Sequence, residues 1–123
     1  MKDPEDNIIV QKTFDFAIRC INLYKHLCYN AVNKEFVISK QLVRSGTSIG
    51  ANIEEAIGGH STADFVAKLS IAYKEARESR YWIRLLSKTK YINKQQYTSL
   101  MTDLDDIINI IAKIKLTTGK NNS

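Results

Sequence analysis

The sequence predicts an all-α protein, an antiparallel up-down-up-down four-helix bundle, and three observations carry that prediction. Apolar residues recur at three- and four-residue intervals along four long stretches. The single proline, Pro4, precedes all of them, so nothing in their interiors breaks a helix. No stretch shows the two-residue alternation of a half-buried strand.

The first helix is expected from about Asn7 to Asn30. Val10, Phe14, Ala17, Ile21, Tyr24 and Cys28 form an a/d seam along it. A second seam, Ile9, Phe16, Cys20, Leu23 and Leu27, runs beside the first. One seam docks a helix into its own bundle, so two imply either a very buried helix or a second contact with another subunit. A connector follows from Ala31 to about Ile38, and Ser39 is the expected N-cap of a helix reaching about Ile57. Leu42, Ile49, Ile53 and Ala56 supply its core face. Its small residues, Ser45, Gly46, Ser48, Gly50 and Ala51, allow a neighbouring helix to come close. Gly58-Gly59-His60 then breaks the pattern, and Ser61 with Asp64 resembles an N-terminal cap. The third helix spans about Thr62 to Lys90, with Phe65, Leu69, Ala72, Ala76, Ser79, Ile83 and Leu86 inward. Asn93 and Gln96 are placed to cap the fourth reciprocally. That helix, about Lys94 to Leu116, packs through Tyr97, Leu100, Met101, Leu104, Ile107, Ile108, Ile111 and Ile114. Short connections favour antiparallel neighbours. Residues 1–123 read as one domain, ordered over about 7–116, with frayed polar tails.

Composition excludes several classes. The 123 residues are 44% hydrophobic and 25% charged, unlike a disordered chain. No apolar run approaches the roughly 20 residues that span a bilayer, so no membrane partner is expected. The acidic start lacks the layout of a secretion signal, which points to the cytoplasm. Cys20 and Cys28 lie about 12 Å apart along one helix axis, too far to bridge, and read as small apolar fillers. The formal charge of +5 is uneven: residues 1–60 balance at seven Lys/Arg and seven Asp/Glu, whereas residues 61–123 carry eleven and six. A localised excess suggests an anionic partner.

No catalytic, metal or cofactor constellation is apparent. His26 and His60 sit on different elements without a nucleophile at catalytic spacing. Asp103, Asp105 and Asp106 read with Asn109 and Lys113 as a solvated face. The chain has neither a Glu-x-x-His motif nor a glycine-rich phosphate loop, so a non-enzymatic protein without cofactor is expected.

Two surface features remain. Gln41, Arg44, Ser48, Asn52 and Glu55 form a polar stripe on the second helix. Solvent exposure, a buried hydrogen-bonded network and a ligand site are all open readings. On the third helix, Arg77, Arg80, Arg84 and Lys88 fall within one roughly 80° sector at about 100° per residue, with Lys74 and Tyr81 adjoining. From Lys74 to Lys94 there are seven basic residues and two acids, Glu75 and Glu78. Guanidinium forks suit phosphate oxygens and tyrosines stack on unpaired bases. The alternative is an ordinary outer face, partly neutralised by the two glutamates. A third face, Ile71, Trp82 and Leu85, joins the second seam of the first helix (Ile9, Phe16, Leu23, Leu27) as an expected homo-oligomer interface.

The stretch Gln41-Leu-Val-Arg-Ser-Gly-Thr-Ser-Ile-Gly-Ala-Asn-Ile-Glu-Glu-Ala, with Asp64-Phe65 and Ile71-Ala-Tyr-Lys-Glu-Ala-Arg-Glu, resembles the 23S rRNA intervening-sequence protein family of four-helix bundle proteins over roughly residues 10–115. Its core pattern falls on Gln41, Arg44, Ser48, Ile49, Asn52, Ile53 and Glu55. Many members have Gly after that glutamate; this chain has Ala56, with Gly58-Gly59 following, which shifts the turn. The resemblance implies a bacterial up-down bundle assembled as a homopentamer. It also implies a relation to the accessory variability protein of diversity-generating retroelements, a basic pentamer that binds nucleic acid and works with a reverse transcriptase. It favours a structural role for the polar stripe. The leading expectation is a pentamer that binds nucleic acid, RNA first, through the basic face of helix three. The rival is a protein-interaction scaffold.

Overall fold

Each expected helix forms. The computed structural model describes residues 4–121 as α1 (Pro4–Lys25), α2 (Ile38–Ile57), α3 (Thr62–Lys88) and α4 (Lys94–Asn121), with one π turn, His26–Asn30, closing α1. Pro4 opens α1, where its missing N–H has no helical partner to lose. α4 continues to Asn121, so most of the tail expected to fray after Leu116 is helical. The remaining tail residues, 1–3 and 122–123, lie outside the described residues.

Contacts between neighbours run antiparallel. Thr13 and Cys20 of α1 face Gly50 and Gly46 of α2. Ser45 of α2 shares a buried 2.8 Å hydrogen bond with Ser79 of α3, and Arg80 of α3 pairs with Asp105 of α4 at 3.0 Å. Lys12 and Arg19 of α1 close the ring on Asp106 and Asp103 of α4. The α1–α2 and α3–α4 connections therefore cap the same end of the bundle. Leu42, Ile49, Ile53, Leu69, Ile83, Leu86, Leu104, Ile107 and Ile111 fill its interior.

The structure reverses the two seams of α1. Ile9, Phe16 and Leu27, expected at an oligomer interface, are each only 1% exposed and belong to the chain's own core, with Leu23 half-buried against it. The seam expected inside faces outward instead: Phe14 is 58% exposed and Ile21 38%. The reason lies on α2. A Cβ on Gly46 would sit 2.5 Å from Cys20 Sγ, and one on Gly50 would sit 3.3 Å from Thr13 Oγ1. Only the Thr13–Cys20 side of α1 fits those two glycines, and it brings Ile9, Phe16 and Leu27 in with it. The two glycines cost about 1 kcal/mol each in helix propensity, and the close approach they permit offsets it. Burial pushes the Cys20 thiol up to about 12, outweighing the opposing charge of Arg19, so this cysteine is an inert filler.

Caps follow the sequence at two helices and depart from it at one. Ser61 Oγ accepts from Asp64 N at 3.1 Å. Asn93 and Gln96 exchange two 2.8 Å hydrogen bonds between side chain and backbone. At α2, Ser39 is not the N-cap; it lies within the first turn, and its hydroxyl donates to the Glu35 carbonyl at 2.9 Å. Glu35 does the capping, its carboxylate accepting from the N–H groups of Val37, Ile38 and Ser39 at 3.0, 2.9 and 2.7 Å. Burial works against the Glu35 charge, but these donors outweigh it and hold the carboxyl below its ordinary value. A depressed carboxyl stabilises the fold above its unfolded pKa, and that contribution disappears as pH falls through the folded value. Glu35→Gln is therefore expected to cost about 1–2 kcal/mol at neutral pH. In urea titrations the gap from wild type should shrink as pH is lowered below about 4.3.

α3 ends with Lys90 N donating to Ser87 O at 3.0 Å and Tyr91 N to Leu86 O at 2.9 Å. This double-bonded turn places Lys90 at φ 68°, a left-handed position that favours glycine. Lys90→Gly should raise stability by about 1 kcal/mol, read as a higher melting temperature.

Candidate nucleic-acid interface

The core face of α3 fixes which residues point out. Leu69, Ala72, Ala76, Ser79, Ile83 and Leu86 are buried at alternating three- and four-residue steps. Lys74, Arg77, Arg80, Tyr81, Arg84 and Lys88 are accordingly all exposed. Their surroundings differ. Arg80 is held by Asp105. The Arg77 guanidinium stands 5.9 Å from the Tyr73 ring centroid, and Lys115 Nζ of α4 is 5.2 Å from the same centroid, cation–π geometry for both. Lys74, Arg84 and Lys88 have no carboxylate partner among the described residues.

The two glutamates of α3 do not neutralise this face. Glu75 and Glu78 turn to the opposite flank and pair with Arg44 of α2, at 3.4 Å for Glu75. Glu78 also accepts from Trp82 Nε1 at 2.9 Å. The polar stripe thus borders the α2–α3 seam, reaching α3 through Arg44 and Glu55, while Gln41, Ser48 and Asn52 are half-exposed and bonded within α2. Arg44 Nε donates to Gln41 Oε1 at 3.2 Å, Asn52 Nδ2 to the Ser48 carbonyl and hydroxyl at 2.8 and 3.1 Å, and Glu55 pairs with Lys68 at 2.7 Å. The acidic triplet of α4, read from sequence as a solvated face, ties α4 to both neighbours: Asp103 and Asp106 to α1, Asp105 to α3. Among the described residues, no group of three or more His, Cys, Asp and Glu could hold a metal ion.

Trp82 and Leu85, expected on a subunit interface, are half-buried against their own chain, and Trp82 also meets Tyr81 edge-on at 5.1 Å. Of that expected face, Ile71 is the exposed member.

Two adjoining concavities wrap the α3–α4 turn. A cleft of about 230 Å³ is lined by Tyr81, Arg84, Leu85, Ser87, Lys88 and Tyr97. A wider depression of about 580 Å³ continues it past Lys90, Tyr91 and Lys94, sharing Ser87 and Tyr97. Tyr97, Lys90 and Lys94 were not among the sequence candidates. Periodicity assigns Tyr97 to the core, and only the aromatic type at the first turn of a basic segment signals a second use.

The antiparallel fold also collects charge. Glu35 is the only acid between Asp15 and Glu54, and there is none between Glu78 and Asp103. These two stretches meet at the end capped by both connections, and they hold ten of the eighteen Lys/Arg residues. Arg19, Arg44 and Arg80, at the inner boundary, are paired. The other seven are exposed, without a carboxylate partner among the described residues. The bundle is electrically polar along its length, with a strongly positive end. No helix of the described residues is long and apolar enough to cross a membrane.

A model of the family described as 23S rRNA-intervening sequence protein matches residues 5–113. A crystal structure of a protein of unknown function from the S23 ribosomal protein family of Bacteroides thetaiotaomicron is 50% identical, covering 90% of this chain and 97% of that one, with a TM-score of 0.87. No curated protein matches. With the family pattern spanning nearly the whole bundle and a half-identical relative sharing its fold, the chain belongs to the 23S rRNA-intervening sequence protein family.

Proposed function

We propose that this protein is a non-enzymatic homo-oligomer, a pentamer by family resemblance, that binds nucleic acid, RNA first, through its basic end and the adjoining flank of α3. The observation that carries the reading is the set of unpaired cations around the α3–α4 turn, Arg84, Lys88, Lys90 and Lys94, beside Tyr81, Tyr91 and Tyr97. Cations at this density attract a polyanion, and binding releases its condensed counterions. Four phosphate contacts per subunit imply a slope of log K against log salt near −3, about a 50-fold loss between 50 and 200 mM salt. Titration of labelled RNA at several salt concentrations tests this directly. Absence of binding at low salt, or a flat salt profile, refutes it.

Assembly is supported by the outward stripe of α1, in which Phe14, Ile18 and Ile21 present apolar surface on one flank. Phe14→Asp with Ile21→Asp should shift particle mass by light scattering toward the monomer and leave helicity unchanged. A wild type that is already monomeric defeats this part of the proposal. Ring assembly multiplies weak contacts through effective concentration.

A second reading, a scaffold docking a protein partner such as a reverse transcriptase, is favoured by one observation. Val32, Phe36 and Val37 in the α1–α2 connection are exposed at the basic end, Val32 almost completely. A partner captured through them would survive nuclease and high salt.

A further inference from the structure

We infer that the groove around the α3–α4 turn takes unpaired nucleotides of RNA and not a duplex, with one base seated in the cleft against Tyr81 and Tyr97 and its flanking phosphates on Arg84 and Lys88. This rests on the nucleic-acid reading above and narrows it to one class of ligand.

Three features of the groove point the same way. A duplex hides its base faces in stacking and offers a protein phosphates and groove edges, for which a flat lysine surface suffices. Tyrosine walls are useful only to a base whose face is open. The cleft has both components, two tyrosines and two cations in about 230 Å³. That volume lies below the roughly 300–1,000 Å³ of sites for larger ligands, which suits one planar ring system. Ser87, on the wall common to both concavities, adds a hydroxyl that can donate to or accept from a base edge or a 2′-OH.

The path beyond the cleft is the second feature. The wider depression repeats the pattern with Lys90, Tyr91 and Lys94 and joins the cleft through Tyr97. The cations and aromatic rings follow one another around the end of a helix. A flexible single strand can follow that bend, whereas a stiff duplex cannot.

Lys90 supplies the third. It occupies a left-handed backbone position, φ 68°, where glycine is the residue of least strain. The turn itself does not need a lysine. The strain sets an ammonium on the groove rim, and such strain collects where a side chain is used for binding.

Fluorescence polarisation with the full-length protein and labelled RNA separates the outcomes. The probes are an unpaired oligouridine and a blunt RNA duplex of the same strand length, at one moderate salt concentration. Wild type should bind the single strand at least tenfold more tightly. Tyr81→Ala and Tyr97→Ala should each weaken the single strand about 5- to 100-fold and leave the duplex unchanged, and Tyr97→Phe should retain binding. Tyr81 is exposed, so its variant remains informative if the half-buried Tyr97 variant folds poorly. Equal affinity for both probes, or tyrosine variants that change both equally or neither, overturns the inference while nucleic-acid binding stands. Binding to neither probe overturns both.

Discussion

Arg84→Glu combined with Lys88→Glu is expected to weaken RNA binding about 10- to 100-fold at moderate salt and to flatten the salt dependence by about two phosphate contacts. The fold should be indifferent to the change. Both side chains are exposed and make no ion pair among the described residues, and such surface substitutions usually stay within about 0.5 kcal/mol. The partner of Arg80, Asp105, provides a control of opposite sign. The Arg80 guanidinium is held by Asp105 at 3.0 Å, so part of its charge is already spent within the bundle. Arg80→Ala should also lower affinity, because it removes a positive charge and leaves the Asp105 carboxylate unpaired beside the basic face. Asp105→Asn should raise affinity a few-fold and steepen the salt dependence, since it releases one guanidinium to the surface. The lost ion pair is partly exposed and contributes about 0–1 kcal/mol. Polarisation titrations of the variants across a salt series decide the matter. If Asp105→Asn weakens binding, or the double reversal leaves the slope intact, the basic end is not the contact surface.

The helices were legible because their signals are local. Ser61 with Asp64 and Asn93 with Gln96 are cap patterns complete within four residues, and each makes the hydrogen bonds its spacing implies. Gly46 and Gly50 announce a close neighbour, and one is there. The cap of α2 was not legible. Glu35 lies outside the helix and reaches forward to three N–H groups, while Ser39 has the residue type of a cap in the wrong place. The inward seam of α1 was equally hidden. Both of its seams have helical spacing, and the choice between them depends on the shape of α2. Periodicity within one helix holds no record of its neighbour's surface.

The candidate site was legible in its cations and illegible in its boundaries. The 80° sector of α3 is a property of one helix, and the exposure of Arg77, Arg84 and Lys88 follows from it. Which cations stay unpaired depends on other helices: Asp105 of α4 takes Arg80, and Arg44 of α2 takes Glu75 and Glu78 away from the basic flank. Dividing the sequence at its midpoint also conceals the charge pattern. Each half contributes one helix hairpin, and each hairpin has one basic end. Folding places those two ends together, so an axial polarity emerges that no linear count displays.

Gly46→Ala should lose about 1–2 kcal/mol of stability, a fall of roughly 4–8 °C in melting temperature for a domain of this size. Helix propensity alone predicts the reverse, a gain of about 1 kcal/mol. Crowding decides the sign: the new methyl would stand 2.5 Å from Cys20 Sγ and 3.2 Å from Cys20 Cβ, inside a core without slack. Gly50→Ala should cost less, because its nearest neighbour, Thr13 Oγ1, is 3.3 Å away. It should still not be stabilising, since that hydroxyl is anchored to the Ile9 carbonyl at 2.7 Å. Removing the obstructing sulfur supplies the decisive control. In Cys20→Ala with Gly46→Ala the new methyl occupies the space the thiol leaves, so the double variant should be more stable than Gly46→Ala alone. The coupling from the double-mutant cycle should exceed about 1 kcal/mol. Additive effects, or a stabilised Gly46→Ala, would contradict the packing assigned to α1. The result bears on assembly too, because the contact that draws Cys20 inward is the one that turns Phe14 and Ile21 toward solvent.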